Sequence, residues 1–281
     1  MDGEQAGNDP SRMEESTALS DRGWAHFLAE DLAAALADLT AAQQLDPSNA
    51  EVYCRRGAVY LTLGDLQAAI ADLTEALRLG FEHPYVYDWR GDAWRAVGDP
   101  HAAIADYSAA IHLDPNYVAA YASRGWAYRV LGNLSAAIAD YSTAIRLVPD
   151  DTWNYVWRGN AYEAAGDLAA AIADYSTAIA REPGNALAYC RRGDAHKRAG
   201  DLDAAIADYS AAIRIEPRYT LGYSGRAEAY VRAGAFSPSR DEEVRYVRAA
   251  IADYEHYLRV RPDAPDRGEV EAALRELRRR M

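Results

Sequence analysis

The chain has 281 residues, half of them hydrophobic, with 43 acidic and 30 basic side chains, a net charge of -13 and a pI near 4.9. That balance argues against a nucleic-acid or anionic-membrane surface, either of which needs clustered Lys and Arg. No apolar run approaches the ~18 residues of a membrane-spanning helix, and the opening MDGEQAGNDPSRMEES lacks the basic and apolar parts of a secretory signal, so a cytoplasmic protein is expected.

Residues 1–15 are polar with almost nothing to bury, and predict a disordered tail. Residues 16–264 then repeat every 34 positions: Gly23, Gly57, Gly91, Gly125, Gly159 and Gly193 recur at that step, and Ala227 takes the seventh place. A fixed period of this size means stacked units, each burying its face only against its neighbours. Seven units are predicted, starting at Ser16, Ala50, Pro84, Val118, Thr152, Ala186 and Thr220. Cys54 and Cys190 hold the same place in units four apart, which predicts two free thiols in a reducing compartment.

Each unit carries two helical patterns separated by a Gly-Asp or Gly-Asn turn. Asp65, Asp99, Asn133, Asp167 and Asp201 are suited to cap the second helix, each after a glycine able to end the first in the left-handed region. Pro47, Pro115, Pro149, Pro183, Pro217 and Pro262 close the units, because proline cannot continue a helix interior. The second unit has Gly80-Phe81 there instead, which predicts a different join.

On the first helix of each unit the fourth, eighth and eleventh places share a face that must pack. It holds Tyr53, Tyr87, Tyr121, Tyr155, Tyr189 and Tyr223; with the eleventh and twenty-fourth places it accounts for most of the 20 tyrosines, so these belong to the framework. The seventh place is always arginine: Arg22, Arg56, Arg90, Arg124, Arg158, Arg192 and Arg226. Each has an aspartate sixteen residues later, from Asp38 to Asp208, except that Arg226 meets Asp253 after an insertion. A pair recurring at every step predicts an internal strut, for which the planar guanidinium fork is suited.

The insertion, eleven residues around 236–246, falls in the seventh unit. Ser239 and Glu242 form a capping-box pattern, and three extra helical turns, about 16 Å of projection, are expected. After Pro262 the segment 265–281 carries an apolar stripe at Val270, Ala273, Leu274 and Leu277, which predicts a capping helix for the open end.

The spacing Tyr121, Arg124-Gly125, Tyr128, Ala137, Tyr141 and Pro149 resembles the tetratricopeptide repeat family, with arginine where the family has leucine. The resemblance implies an all-α fold, an α-solenoid in which helix-turn-helix units wind into a right-handed superhelix. It also implies that the first helices line a concave groove binding peptide segments of other proteins.

A search for chemistry yields little. The six histidines, His26, His83, His101, His112, His196 and His256, show no metal-ligand spacing, and no phosphate loop, nucleophile elbow or zinc motif occurs. No enzyme, cofactor or metal site is expected. What packing leaves unexplained is the other face of the first helices, at the second, fifth, sixth and ninth places, where five of the six tryptophans fall. The predicted groove residues are Trp89, Asp92, Trp126, Arg129, Trp153, Trp157, Asn160, Arg191 and Asp194, with Trp126, Trp153 and Trp157 as anchors and Arg191, Lys197 and Arg198 offered to a carboxylate. The fifth place carries no lysine, so the lysine clamp with which some relatives hold chaperone C-termini is not expected. The resulting expectation is a non-enzymatic scaffold for another protein, with no nucleic-acid or membrane partner. Self-association into a homo-oligomer, through the groove or the long helix of the seventh unit, is the alternative.

Overall fold

The computed structural model describes residues 10–281, and within them the chain forms fifteen helices and no strand. Contacts divide it into two compact units, ending at Leu147 and beginning at Val148. The first holds α1 (Pro10–Leu28), α2 (Leu32–Leu45), α3 (Ala50–Leu63), α4 (Leu66–Arg78), α5 (Pro84–Val97), α6 (Pro100–Leu113), α7 (Val118–Val130) and α8 (Leu134–Leu147). The second holds α9 (Thr152–Ala165), α10 (Leu168–Arg181), α11 (Ala186–Ala199), α12 (Leu202–Ile215), α13 (Thr220–Ala235), α14 (Arg240–Val260) and α15 (Arg267–Arg279). In each unit, consecutive helices pair as hairpins and successive hairpins stack, the arrangement of an α-solenoid.

The helix ends follow from local chemistry. Gly64, Gly98, Gly132, Gly166 and Gly200 take φ between 76° and 89°, where a side chain would clash with the backbone. Asp65, Asp99, Asn133, Asp167 and Asp201 then accept from the backbone N–H three residues on. Gly80 is also left-handed, and Phe81 behind it joins the core under α5, so the second repeat ends on its own type of turn. The tail expected through residue 15 is corrected over its last six residues. The stretch from Pro10 is the first part of α1, held by the Ser16 hydroxyl, which donates to Ala42 O at 2.8 Å. The rest of that expected tail lies outside the described residues.

Inside each hairpin the packing is set by one glycine and one large residue. Tyr107, Tyr141, Tyr175 and Tyr209 are buried to within about 1 % of their surface, and each ring lies against the eighth-place glycine of its repeat. A Cβ on Gly159 would stand 2.6 Å from Tyr175 Cε1, so only glycine admits the ring. Each such tyrosine buries on the order of 150 Å² or more, several kcal/mol of hydrophobic stabilisation at about 25 cal/mol per Å².

All seven arginine–aspartate pairs are closed two-point contacts at 2.6–2.9 Å between the first and second helices of their repeat. The sequence expectation stopped at the pair. The structure adds a third partner, because Nη1 of Arg90, Arg124, Arg192 and Arg226 donates to a hydroxyl of the preceding repeat: Thr74, Ser108, Ser176 and Ser210 at 2.9–3.1 Å. Arg124 and Arg226 also lie between two tyrosine rings, under 6 Å from each centroid.

In the seventh repeat the extra residues are shared out: two lengthen α13, the turn widens to Phe236–Ser239, and seven, Arg240–Tyr246, extend α14. The extension is therefore about 10 Å, not the expected 16 Å. Ser239 Oγ accepts from Glu242 N, and the Arg226–Asp253 pair keeps its register. Helix α15 lays Val270, Leu274 and Leu277 on the core around Tyr254 and Tyr257, as a cap should.

Candidate functional site

Neighbouring first helices touch one another, α1 with α3, α3 with α5 and α5 with α7 in the first unit, α9 with α11 and α11 with α13 in the second. That contact corrects the expected face. The fifth place is the seam between adjacent first helices: Ser20, Cys54, Asp88, Val156 and Cys190 are all buried there. Only the second, sixth and ninth places, with the twelfth on the next turn, form the open face. Both cysteines are free, and burial pushes each thiol up to about 12, so neither is a nucleophile at neutral pH.

On the first unit, Trp24, Arg55, Tyr85 and Trp89 line one cavity together with Glu51 and Cys54. Tyr85 and Trp89 are one turn apart on α5 with centroids 4.9 Å apart, and the Arg55 guanidinium lies 5.9 Å from the Trp24 ring. Asp92 accepts from the Tyr107 hydroxyl at 2.9 Å and pairs with Arg95, whose guanidinium stacks 5.3 Å from Trp126. Asp88 accepts from the Tyr117 hydroxyl at 3.2 Å through Oδ2, while its Oδ1 is buried with no donor. Burial and the nearby Asp92 charge raise the Asp88 carboxyl to about 7. Arg129 lies beside Tyr141, whose buried hydroxyl has no acceptor.

On the second unit, Trp153 and Trp157 stack with centroids 6.2 Å apart, and Trp153 is 47 % exposed. Asn160 accepts from the Tyr175 hydroxyl at 2.8 Å, and Asp194 accepts from Tyr209 at 2.6 Å. Arg191 approaches Asp194 at 4.0 Å. Lys197 is bound to Glu228 at 2.6 Å and Arg198 to Glu163 at 2.8 Å.

The ninth-place residues Asp92, Asn160 and Asp194 thus have a structural task that the sequence reading missed: each fixes the hydroxyl of the buried tyrosine fifteen residues on. The cations proposed for a carboxylate are also partly committed, since Lys197 and Arg198 already have acidic partners. Trp89, Trp126 and Trp157 are half-buried against their neighbours, and Trp153 alone of the predicted tryptophans is exposed. Trp126 belongs to the first unit's face and Trp153 and Trp157 to the second's. Tyr85 is a residue the sequence reading passed over, though the 34-residue register places it on the first helix; Arg55 and Asp88 entered that reading only among the charges of the open face. Arg198 and Arg232 each reach back to the end of the preceding first helix, donating to Glu163 O and Lys197 O.

Among the described residues no group of three or more His, Cys, Asp or Glu is placed to hold a metal, and no helix is long and apolar enough to cross a membrane. Two histidines have structural tasks: His83 Nδ1 accepts from Tyr85 N, and His256 stacks on Tyr223 at 4.0 Å.

Comparison with known proteins gives one consistent result. Family models described as tetratricopeptide repeat match residues 158–220, 190–237 and 50–80, and a model described as TPR repeat matches 23–64 and 125–166. A crystal structure of MamA protein is 27 % identical with a TM-score of 0.57, covering 62 % of this chain and 94 % of that one. A tetratricopeptide repeat protein from Parabacteroides merdae is 18 % identical with a TM-score of 0.68, covering 94 % of this chain and 99 % of that one. YrrB, described as a TPR protein with an unusual peptide-binding site, is 23 % identical with a TM-score of 0.57, covering 62 % and 90 %. No curated protein matches the chain.

Proposed function

We propose that this chain, which belongs to the tetratricopeptide repeat family, is a non-enzymatic scaffold whose open first-helix faces hold a peptide segment of a partner protein. Family membership supports protein interaction in general. The finer reading rests on one observation: aromatic side chains stand on the open face, above all the Trp153–Trp157 stack with Trp153 half in solvent. Trp and Arg dominate binding hot spots because they bring large area with few rotors. The proposed contacts are Trp89, Asp92, Trp126 and Arg129 on the first unit and Trp153, Trp157, Asn160, Arg191 and Asp194 on the second. Mixed charge on both faces supports a protein segment over a polyanion. Two buried free thiols support a reducing compartment such as the cytoplasm.

Panning the full chain against a random-peptide library tests this. Peptides should be enriched, and Trp89→Ala or the double change Trp153→Ala/Trp157→Ala should weaken them by about thirtyfold with little change in thermal midpoint. Failure to enrich any peptide, or retention by both variants, removes the reading.

A second reading, self-association, is favoured by Phe236, which is 78 % exposed in the widened turn beside the α14 extension. Light scattering that rises with concentration and is abolished by Phe236→Asp would establish it.

A further inference from the structure

We infer that the cavity between α1, α3 and α5 takes a lysine or arginine side chain of the bound segment; this deepens the reading above and rests on it. The cavity measures about 340 Å³, room for one long side chain, and its walls are Trp24, Tyr85 and Trp89, with Glu51 and Arg55 at the rim and Cys54 lining it. The Cys54 side chain is buried and neutral, a small apolar surface rather than a reactive group.

The charges at the rim decide the sign of the ligand. Arg55 is held by Asp21 at 2.8 Å and Glu51 at 2.5 Å, and its guanidinium already faces Trp24. An arriving carboxylate would have to displace one of these two carboxylates to reach the guanidinium. An arriving cation displaces nothing, because two carboxylates against one guanidinium leave a net negative charge, with Asp21 and Glu51 66 % and 50 % exposed. Aromatic faces add attraction for a cation within ~6 Å. The chain as a whole is at -13, so long-range steering also favours a basic segment.

The chain supplies its own precedent for the chemistry. Arg56 and Arg158 each sit within 6 Å of two tyrosine rings while bound to an aspartate, so ring faces plus a carboxylate already hold a guanidinium inside these repeats. The cavity between α11 and α13 differs: it is lined by Leu187 and Leu221 with Arg191 and Lys197 among its charges, and has no tryptophan. The cation preference is therefore assigned to the first unit alone.

The test is a tryptophan-fluorescence titration of the full chain with three capped hexapeptides, Ala-Ala-Arg-Phe-Ala-Ala and its counterparts with norleucine or Glu in place of Arg. The Arg peptide should bind about tenfold tighter than the norleucine peptide, and the Glu peptide weakest. Glu51→Gln, at an exposed position that leaves the fold intact, should cut the Arg preference to about a third, and Trp89→Ala should abolish it. Equal binding of all three peptides, or tightest binding of the Glu peptide, overturns the cation assignment and leaves the peptide-groove reading standing. Binding of none overturns both for this face. An Arg preference unchanged by both substitutions places the cation elsewhere and also overturns the assignment.

Discussion

Arg124 donates Nε and Nη2 to the two oxygens of Asp140, both at 2.8 Å, and turns Nη1 to Ser108 Oγ of the preceding repeat at 3.0 Å. One side chain thus ties three helices together, and Asp140 is 6 % exposed. Removing the carboxylate strands a largely buried guanidinium. Asp140→Ala should therefore cost about 3 kcal/mol in chemical denaturation, whereas a solvent-exposed pair would cost under ~1 kcal/mol. Ser108→Ala removes the third contact, together with the hydroxyl's own bond to Ile104 O at 2.6 Å, and should cost about 1 kcal/mol.

Asp88 should give the protein an inverted pH dependence. Its carboxyl is raised to about 7 by burial and by Asp92, with Tyr117 donating to one oxygen and Arg95 the nearby cation. Below the unfolded value near ~4 the group is protonated in both states and costs nothing. Between that value and about 7 the folded chain binds more protons than the unfolded one, so stability falls as pH rises, and it stays low above. Asp88→Asn should be nearly neutral at pH 4 and raise stability by ~3 kcal/mol at pH 8. Melting curves at the two pH values check it, and a wild-type midpoint that rises from pH 5 to pH 7, with no gain in the variant, would refute the assignment.

Glu30 is the one non-glycine residue with positive φ, at 63°, among the described residues. It occupies the turn position that Gly64, Gly98 and their equivalents hold in later repeats. Glu30→Gly should stabilise the first hairpin by about 1 kcal/mol, and Gly64→Glu should cost at least as much. The thermal midpoints of the two variants should move in opposite directions.

The architecture was legible because repetition multiplies weak signals. A lone Gly-Asp pair says little, but Gly98-Asp99, Gly166-Asp167 and Gly200-Asp201 in one register fix both the turn and its cap. The seven arginine–aspartate pairs were legible for the same reason. The functional face was less so, since helical angle alone put Asp88 and Cys190 beside Trp89 and Arg191 on open surface. Whether a fifth-place residue is buried depends on how closely adjacent first helices approach, and that is a property of the stack, not of a single helix. Likewise Asp92 and Asn160 carry no mark in the sequence that they serve Tyr107 and Tyr175, fifteen residues away.

Trp126 stands where α5, α9 and α11 place Asp92, Asn160 and Asp194 to accept from the buried tyrosine hydroxyl. In its repeat the Tyr141 hydroxyl consequently has no acceptor, and burial pushes that phenol up to about 12. A buried hydroxyl with no acceptor costs roughly 1–3 kcal/mol, so tryptophan is the inferior choice for the fold at this place. The proposed reason for keeping it is binding, with Arg95 stacked at 5.3 Å holding the ring toward the open face. Trp126→Asp should then raise stability by about 1 kcal/mol as Tyr141 regains an acceptor, while weakening a peptide recovered on the first unit by about tenfold or more. Thermal melts and binding titrations on the same variant separate the two effects. A variant that melts earlier and binds as the wild type does would make Trp126 a packing residue.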